Sequence, residues 1–509
     1  MSIGKTCMAA AVTLGVFTLV TTPAFSADSA ESARAEALNQ IPTWAPYGTD
    51  NPDNLEETFF RLQRAFVLQA ETGARELGSV PFWPRGSVKF GSVRILPYLR
   101  QAAQWESNFF RINETPARGA HPNAAPRSRG RDGAITHTNQ IGALADTVMD
   151  GGRLRLSGSI DSRWDLRYAS EDHHKDDWDF DGQLGAAYDI TRDIHTSIGY
   201  RWERRSDPIE TNVSRRFQRT NQQAIWDISH DNLGVKGLKG RFGIAARDVD
   251  ASKQNATDRE DRTELTYTAR LSYPFWRDTT DLFIQGRYRD EQRESDEIND
   301  GNTISMDFGV AGAIPLARNE YGGVRGELSL GFDHSGYEND TFNRGTQVLI
   351  RDADDEDTSL AVRGRLQYIM SPRTTWDLSL FRGNQFSNHG NYQITTRSEL
   401  SFTHNASCNL VSRIAAFWEN VDPSGRTSPK SALTGNTGIR ESERYEDWDR
   451  FGLGLGLRYP IEEWLDIDGT VDMERKNSYP ERSYTNYRAV VGLTFYMAGL
   501  NTPRRRTVQ

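Results

Sequence analysis

The amino-acid sequence predicts an all-β protein, a transmembrane antiparallel β-barrel of the outer-membrane type with about 18 strands. Three observations indicate this fold. Apolar and polar residues alternate over long stretches, short turns alternate with long polar loops, and the chain opens with a secretory signal. The mean hydropathy is −0.67 and 26% of the residues are charged. These values argue against a helical membrane protein but suit a barrel, in which half of each strand faces water.

The first 26 residues are a predicted signal peptide. Lys5 supplies the positive charge, residues 8–20 form the apolar run, and Ala24 and Ser26 within residues 24–26 offer small side chains for cleavage after Ser26. The apolar run is shorter than the roughly 18 to 20 residues that a membrane-spanning helix needs. Without Lys5 the mature chain has 60 basic against 70 acidic residues. No basic excess therefore indicates binding of nucleic acid.

Residues 27–90 form a predicted periplasmic segment with one short helix that begins at Asn54. We expect this helix to pack under the barrel, and a plug that enters the lumen is the alternative interpretation. The apolar side chains that recur at helical spacing on one side of it are Leu55, Phe59, Leu62, Phe66 and Ala70.

Residues 153–168 show the alternation most clearly. Every second residue is compatible with lipid, with Ser162 as the one weak position, and most of the residues between them are charged. A strand points successive side chains to opposite faces, so one face is apolar and the other charged. A typical strand has about five or six residues, whereas a tilted strand that crosses a bilayer needs about ten. The same pattern returns at 178–190, 265–273, 360–370, 451–459 and 487–497.

Two kinds of connection alternate between these segments. Because outer-membrane barrels have short periplasmic turns and long external loops, this order assigns the strand directions and places both termini in the periplasm. Short turns are predicted at 149–152, 191–193, 274–277, 371–374, 404–407 and 460–463. Longer polar loops are predicted at 113–133, 169–177, 203–215, 250–262, 290–301, 333–357, 383–390, 420–448 and 476–483.

The predicted barrel extends over residues 91–497 and is followed by a periplasmic tail at 498–509. Counting from Val93 gives about 18 strands, an even number as in other bacterial barrels. A barrel of about 16 strands is the alternative, because Pro97 interrupts the first hairpin. Aromatic residues cluster near the strand ends, where a barrel has its interfacial girdles. Since barrels of this size leave an aqueous channel, the sequence predicts a pore in the cell outer membrane.

The functional candidates are the charged residues that alternation directs into the lumen. Arginines mixed with carboxylates suit a hydrated polar solute, because lumen residues tune selectivity. The simpler interpretation is that these residues pair with one another and keep the interior wet. The predicted lumen-facing residues are Arg153, Arg155, Arg163, Arg167, Asp161, Asp165, Arg201, Arg270, Arg287, Arg325, Glu327, Arg363, Arg365, Asp377, Arg458, Asp468, Asp472, Glu474 and Arg488.

Signals for catalysis, cofactors and metals are weak. The chain has nine histidines but no recognisable nucleophile setting, and it has no CxxC, HExxH, phosphate-loop or dinucleotide motif. We therefore predict no enzyme activity, no cofactor and no metal. An acidic run at 352–357 could bind Ca²⁺, although such runs are more often simply solvated. Aromatic residues can form sliding surfaces for sugars, but alternation directs most of them outward here.

Four segments resemble the β-barrel porin type 2 family of outer-membrane proteins, which are often encoded among exopolysaccharide-synthesis genes. The segments are VRILPYL at 93–99, ESNFF at 106–110, RLRL at 153–156 and YRAVVGLTFY at 487–496. The resemblance implies the outer-membrane pore of a polysaccharide export system, working with a periplasmic export protein. One feature departs from the usual pattern. Barrels commonly end on an aromatic residue that the assembly machinery reads, whereas a further tail follows Tyr496 here.

Four functions stay open at this point. The leading hypothesis is a channel that carries a secreted polysaccharide of the exopolysaccharide or capsule type to the cell surface. The alternatives are a general or solute-specific porin, a surface adhesion or structural barrel with a closed lumen, and an outer-membrane hydrolase. The expected partners are outer-membrane lipid and lipopolysaccharide, the polysaccharide, the periplasmic export protein and the barrel assembly machinery, without nucleic acid.

Overall fold

The computed structural model describes the strands and most of the short turns. The predicted signal peptide, the helix predicted to begin at Asn54 and the tail at 498–509 lie outside the described residues. The described ranges are 88–107, 133–169, 177–205, 219–251, 261–276, 279–293, 300–314, 323–337, 341–343, 349–351, 356–371, 373–386, 392–406, 410–423, 448–462, 464–478 and 483–496.

The chain forms β-strands almost throughout these ranges. In chain order they are β1 (Val88–Phe90), β2 (Val93–Glu106), β3 (Ala134–Met149), β4 (Leu154–Ala169), β5 (Asp177–Asp189), β6 (Ile194–Arg205), β7 (Arg219–His230), β8 (Lys239–Ala251), β9 (Arg262–Trp276), β10 (Thr280–Arg293), β11 (Gly301–Ile314), β12 (Gly323–Tyr337), β13 (Thr341–Asn343), β14 (Leu349–Arg351), β15 (Glu356–Ser371), β16 (Thr374–Phe386), β17 (Tyr392–Asn405), β18 (Val411–Pro423), β19 (Trp448–Glu462), β20 (Leu465–Ser478) and β21 (Tyr484–Tyr496). A 3₁₀ turn, Asp150–Gly152, lies between β3 and β4. Among the described residues, no helix has the length and apolar character needed to span a membrane.

Eighteen of these strands close into one antiparallel barrel, which confirms the predicted fold class and the higher of the two strand counts. Strands β2 to β12 and β15 to β21 pair in chain order. The ring closes between β2 and β21, from the pair Tyr98–Tyr496 to the pair Glu106–Arg488. Pro97 lies just before the first of these closing pairs, so its missing N–H removes no bond from the closing ladder.

The connections follow the predicted order of long loops at one end and short turns at the other. Two connections were not predicted from the sequence, at 231–238 between β7 and β8 and at 315–322 between β11 and β12. The first contains Asp231, Asn232 and two glycines, so its composition does carry a turn signal. Gly234 and Gly237 have φ angles of +79° and +85° there, a conformation that glycine adopts without a steric penalty.

In contrast to a soluble β-protein, this barrel has apolar side chains on its outer face and polar side chains on its inner face. Outward-facing Leu184 and Ile198 are 68% and 58% exposed, while inward-facing Asp333 and Thr494 are 0% and 1% exposed. Apolar side chains on the outside of a closed sheet are stable only against lipid, and a closed ring leaves no backbone group unpaired at an edge. The barrel therefore lies in the outer membrane.

Aromatic side chains form contacts at both ends of the outer wall. Near the turns, Trp376 lies against Phe402 with 4.8 Å between the ring centroids. Near the loops, Phe180 lies against Trp202 at 4.6 Å. These two belts correspond to the interfacial girdles expected from the sequence.

Candidate functional site

The candidate functional site is the inner wall of the barrel. Strands about 4.8 Å apart and tilted by about 40° give a ring of 18 strands a backbone radius of about 18 Å. That radius exceeds the reach of the side chains, so the wall encloses an aqueous space. The residues that line it come from every second position of each strand.

On β4 the inward carboxylates are held by groups from the two preceding strands. Tyr98 Oη of β2 donates to Asp161 Oδ2, and Gln140 Nε2 of β3 donates to the same oxygen at 2.7 Å. Four residues further along, Asp165 accepts from Arg163 Nε at 2.9 Å and from Thr138 Oγ1 at 2.7 Å. These bonds fix both carboxylates against the wall.

The arginines of β4 and β6 pair with acids of β5. Arg201 Nε donates to Asp181 Oδ1 at 3.3 Å, and its Nη2 also lies 3.3 Å from Glu203 Oε1. Near the turns, Arg155 Nη2 lies 3.5 Å from Asp189 Oδ2. Each guanidinium therefore has a carboxylate as its neighbour.

Arg270 of β9 pairs with a carboxylate that lies three strands away. Its Nη1 donates to Glu327 Oε2 of β12 at 2.9 Å, across β10 and β11. On the way its guanidinium carbon lies 3.7 Å from the ring centroid of Phe283. The arginine thus packs flat between an aromatic ring and a carboxylate, a favourable cation–π arrangement.

Arg363 of β15 is the centre of a buried cluster. Its Nη1 donates to Asp307 Oδ1 at 2.5 Å, and its Nη2 donates to Asp333 Oδ1 at 2.6 Å. The second oxygen of Asp333 accepts the backbone N–H of Asn384 at 3.0 Å. Asn384 Nδ2 in turn donates to Ser335 Oγ at 3.1 Å. The cluster joins four neighbouring strands.

A second group of ion pairs lies on β19 to β21 and on β2, next to the closing ladder. Arg458 Nε donates to Asp466 Oδ2 at 2.8 Å, and Tyr496 Oη donates to the same oxygen at 2.8 Å. Arg100 Nη2 donates to Asp468 Oδ2 at 2.7 Å. These contacts join β19, β20 and β21 to one another, and join β2 to β20 across β21.

Other predicted residues have similar positions on the wall. Arg488 Nε donates to Asp472 Oδ2 at 2.9 Å, and Glu474 accepts from Tyr484 Oη at 2.5 Å. Asp377 accepts from Gln367 Nε2 at 3.1 Å. The electrostatic partners of Arg365 include Asp377 and Glu399, and Arg325 shares the inner face of β12 with Glu327.

Arg153 differs from its predicted position. Strand β4 begins at Leu154, so Arg153 belongs to the turn, where the alternation of faces does not apply. Its Nε and Nη2 donate to the carbonyl oxygens of Asp189 and Ile190 at 3.0 and 2.7 Å. Its guanidinium also lies over the ring of Tyr188 at the end of the barrel. The side chain of Arg167 lies outside the described residues.

Inward-facing aromatic residues were not found by sequence analysis. Tyr98, Phe283 and Phe417 each lie directly opposite a glycine on the next strand, and each ring occupies the place where a Cβ of that glycine would be. The rings are therefore flat against the wall instead of pointing into the lumen. The glycines are Gly142, Gly309 and Gly452.

Arginines cover one of these rings from both sides. The guanidinium carbons of Arg397 and Arg450 lie 4.7 and 5.1 Å from the centroid of Phe417. Both arginines also pair with Glu419, at 3.0 and 2.9 Å. The sequence signal for such a site is a glycine directly opposite an aromatic residue on the next strand. This signal can be recognised only when the strand register is known.

No group of three or more histidine, cysteine, aspartate or glutamate side chains in the described ranges has an arrangement that could hold a metal ion. The acidic run at 352–357, considered above for Ca²⁺, lies mostly outside those ranges. The inner wall is thus built from ion pairs, hydroxyls and amides.

Comparisons with known proteins assign no family. The sequence matches no family model and no curated protein. Its solved structural neighbours include outer-membrane porins. The BenF-like porin from Pseudomonas fluorescens Pf-5 has 10% identity over 80% of this chain and 99% of the other, with a TM-score of 0.40.

A second neighbour, OccK2 (OpdF) from Pseudomonas aeruginosa in complex with glucuronate, has 11% identity over 82% of this chain and 100% of the other, with a TM-score of 0.38. A bacterial polysaccharide outer membrane secretin has 11% identity over 79% of this chain and 98% of the other, with a TM-score of 0.31. At these identities and TM-scores the similarities assign neither a cargo nor a mechanism.

Proposed function

We propose that this protein is a passive channel of the outer membrane for hydrated polar solutes. The observation that carries the proposal is the closed ring of 18 strands with an inner face of ion pairs and hydroxyls. Barrels of this size leave room for water, and a polar lining offers hydrogen bonds to a solute as it sheds part of its hydration. Transport of this kind needs no cofactor and no catalytic residue.

The specific cargo that we propose is a secreted polysaccharide. The support is the sequence resemblance at 93–99 and 487–496 together with the polar character of the inner wall, since a sugar chain is itself a hydrated polar solute. A periplasmic export protein would then meet the turn end of the barrel.

A porin for small solutes is the second candidate, and the inner aromatic residues favour it. Phe283 and Phe417 are only 5% and 7% exposed, and arginines lie over both rings. They therefore offer no free ring face on which a sugar chain could stack, whereas a small polar solute needs none.

Two measurements test these proposals. The purified barrel in planar bilayers should conduct ions, and addition of the polysaccharide from the native host should block the current from the turn side. Deletion of the gene should abolish surface polysaccharide while small-solute uptake stays intact. Conductance that is insensitive to glycans, with surface polysaccharide unchanged, would instead support the small-solute porin.

Two further outcomes would contradict both channel proposals. Absence of conductance, together with loop-dependent binding to cells or matrix, would support the adhesion barrel. Release of fatty acid or sugar by the purified protein would support the hydrolase.

Neighbouring genes for a polymerase, chain-length control and export would support the polysaccharide cargo, and their absence would count against it.

A further inference from the structure

Arg287 differs from the other inward arginines of the predicted set. Several of those arginines pair with a carboxylate on another strand, as Arg270 does with Glu327 and Arg363 does with Asp307 and Asp333. Arg287 makes neither an ion pair nor a hydrogen bond with any other part of the described chain, although it lies in the middle of β10. Its guanidinium therefore keeps its donors available to a solute.

The residues beside Arg287 can contribute to the same contact. In the strand register its direct partners are Thr268 on β9 and Ser305 on β11, and both are inward-facing hydroxyl residues. Ser305 is only 4% exposed, so the hydroxyl that can reach a solute beside the guanidinium is that of Thr268. Guanidinium groups bind carboxylate and phosphate oxygens through paired N–H donors.

The two carboxylates near Arg287 are both bonded to another arginine. The electrostatic neighbours of Arg287 are Arg289, Arg363, Asp307 and Asp333. Arg363 donates to Asp307 and Asp333, at 2.5 and 2.6 Å. Arg287 forms an ion pair with neither aspartate, so the acids among its neighbours are already held by Arg363.

We propose that Arg287, with Thr268, forms the contact site for an oxyanion group, carboxylate or phosphate, of the solute that passes through the lumen. The proposal rests on the channel function and adds the chemical class of the cargo. An uronate-type sugar and a phosphorylated solute carry such a group, whereas a neutral sugar does not. Arg287 is then a selectivity residue of the channel.

The test is the ion selectivity of the purified full-length barrel in planar bilayers under a KCl gradient. The variant Arg287→Gln should lower the chloride-to-potassium permeability ratio about two- to fivefold, since one unit charge is lost from the lumen. Arg287→Lys should keep most of the ratio because it keeps the charge. As a matched control, Arg204→Gln removes a positive charge from the outer face, where Arg204 lies over the Trp178 ring, and should leave the ratio unchanged.

Block of the current by anions identifies the group that binds. Glucuronate and inorganic phosphate are added separately to the wild-type barrel and to Arg287→Gln. A wild-type block by either anion that weakens at least about fivefold in the variant supports the proposal and tells carboxylate from phosphate. Equal block in both proteins, or no block by either anion, overturns it. A wild-type barrel that does not conduct at all would contradict the channel function itself.

Discussion

Gly452 illustrates how an inner-wall residue depends on the residue directly opposite it. A Cβ at this position would overlap the Phe417 ring, which is held between Arg397 and Arg450. We predict that Gly452→Ala lifts the ring off the wall and destabilises the barrel by about 1–3 kcal/mol. The measurement is the temperature at which the detergent-resistant folded band is lost on gel electrophoresis.

Gly286→Ala is the matched control for this prediction. Gly286 also lies within a barrel strand, but a Cβ there would meet no atom within 4 Å. The control should unfold at the wild-type temperature or slightly above it, because alanine restricts the unfolded chain. Equal unfolding temperatures for the two variants would show that the ring has room to move.

Arg363 supports a second prediction at the scale of the residue. Its carboxylate partners Asp307 and Asp333 are almost fully buried, at 1% and 0% exposure. Arg363→Gln leaves both charges without their cation, so we expect the free energy of unfolding to fall by about 3–5 kcal/mol. Denaturant titration of the barrel in detergent measures this change, and Arg363→Lys should recover part of it. A loss below about 1 kcal/mol, the range of exposed ion pairs, would contradict the prediction.

Single residues also show what the sequence can and cannot predict. Alternation assigned Arg270 and Glu327 to the inner wall, because the period of a strand depends only on local geometry. It did not join them to each other, since they are 57 residues apart and meet only through the tilt of four strands. Arg153 lies in a turn because β4 begins at Leu154, one residue later than the alternation predicted, and the period of a strand does not extend into a turn.

Strands β15 and β16 show a break in the ladder near the loop end. Their pairing ends at Val362–Arg382, and the pairs that would follow, Ala361 with Gly383 and Leu360 with Asn384, are not formed. The Asp333 carboxylate of β12 reaches across β15 and accepts the Asn384 N–H in place of a strand carbonyl. The Asp333 carboxylate thus accepts a hydrogen bond that a backbone carbonyl accepts elsewhere in the ladder.

The hydrogen bond from the Asn384 N–H to the Asp333 carboxylate can be tested by hydrogen exchange. In Asp333→Ala the Asn384 amide loses its acceptor, so we predict that it exchanges at least about tenfold faster than in the wild type. Amides at 376–380 in the same strand pair with β15 and β17 and serve as the internal control. An unchanged rate at Asn384 would mean that another group accepts this N–H.

The sequence predicted which segments form strands better than it predicted where the strands end and where the turns lie. The long strands follow from composition that repeats every second residue, which any tilted membrane strand must have. The turn at 231–238 was missed although Asp231, Asn232, Gly234 and Gly237 are turn-forming residues, so the sequence did carry a signal for it. The number of strands was predicted, but the choice between two even numbers needed the closing pairs.

The closure of the whole barrel predicts a specific cross-link. Ala103 on β2 and Val491 on β21 are direct partners in the closing ladder. We predict that the double variant Ala103→Cys, Val491→Cys forms a disulfide in the folded barrel but not in the denatured chain, because directly opposite residues lie within disulfide range. Mobility on non-reducing gels after mild oxidation reports the bond.

A matched pair controls for accidental proximity. Val471 on β20 also faces outward, and Ala489 of β21 is its partner in the ladder between β20 and β21. It is therefore one strand further from Ala103, at about 10 Å across the sheet. Ala103→Cys with Val471→Cys should stay unlinked. Linkage of this control alone would indicate a ring that closes without β21.

The pairing of inner charges within the wall has a consequence for the electrolyte inside the pore. A lumen lined by unpaired charges of one sign gathers mobile counterions, and its conductance then levels off when the bath is dilute. Here most fixed charges are neutralised by a neighbour within a few ångströms, closer than the screening length of about 30 Å at 0.01 M salt. A lumen whose fixed charges balance holds no excess of counterions. Its conductance should therefore fall in proportion to bath KCl down to dilute solution. A plateau at low salt would show that the wall charges are not balanced.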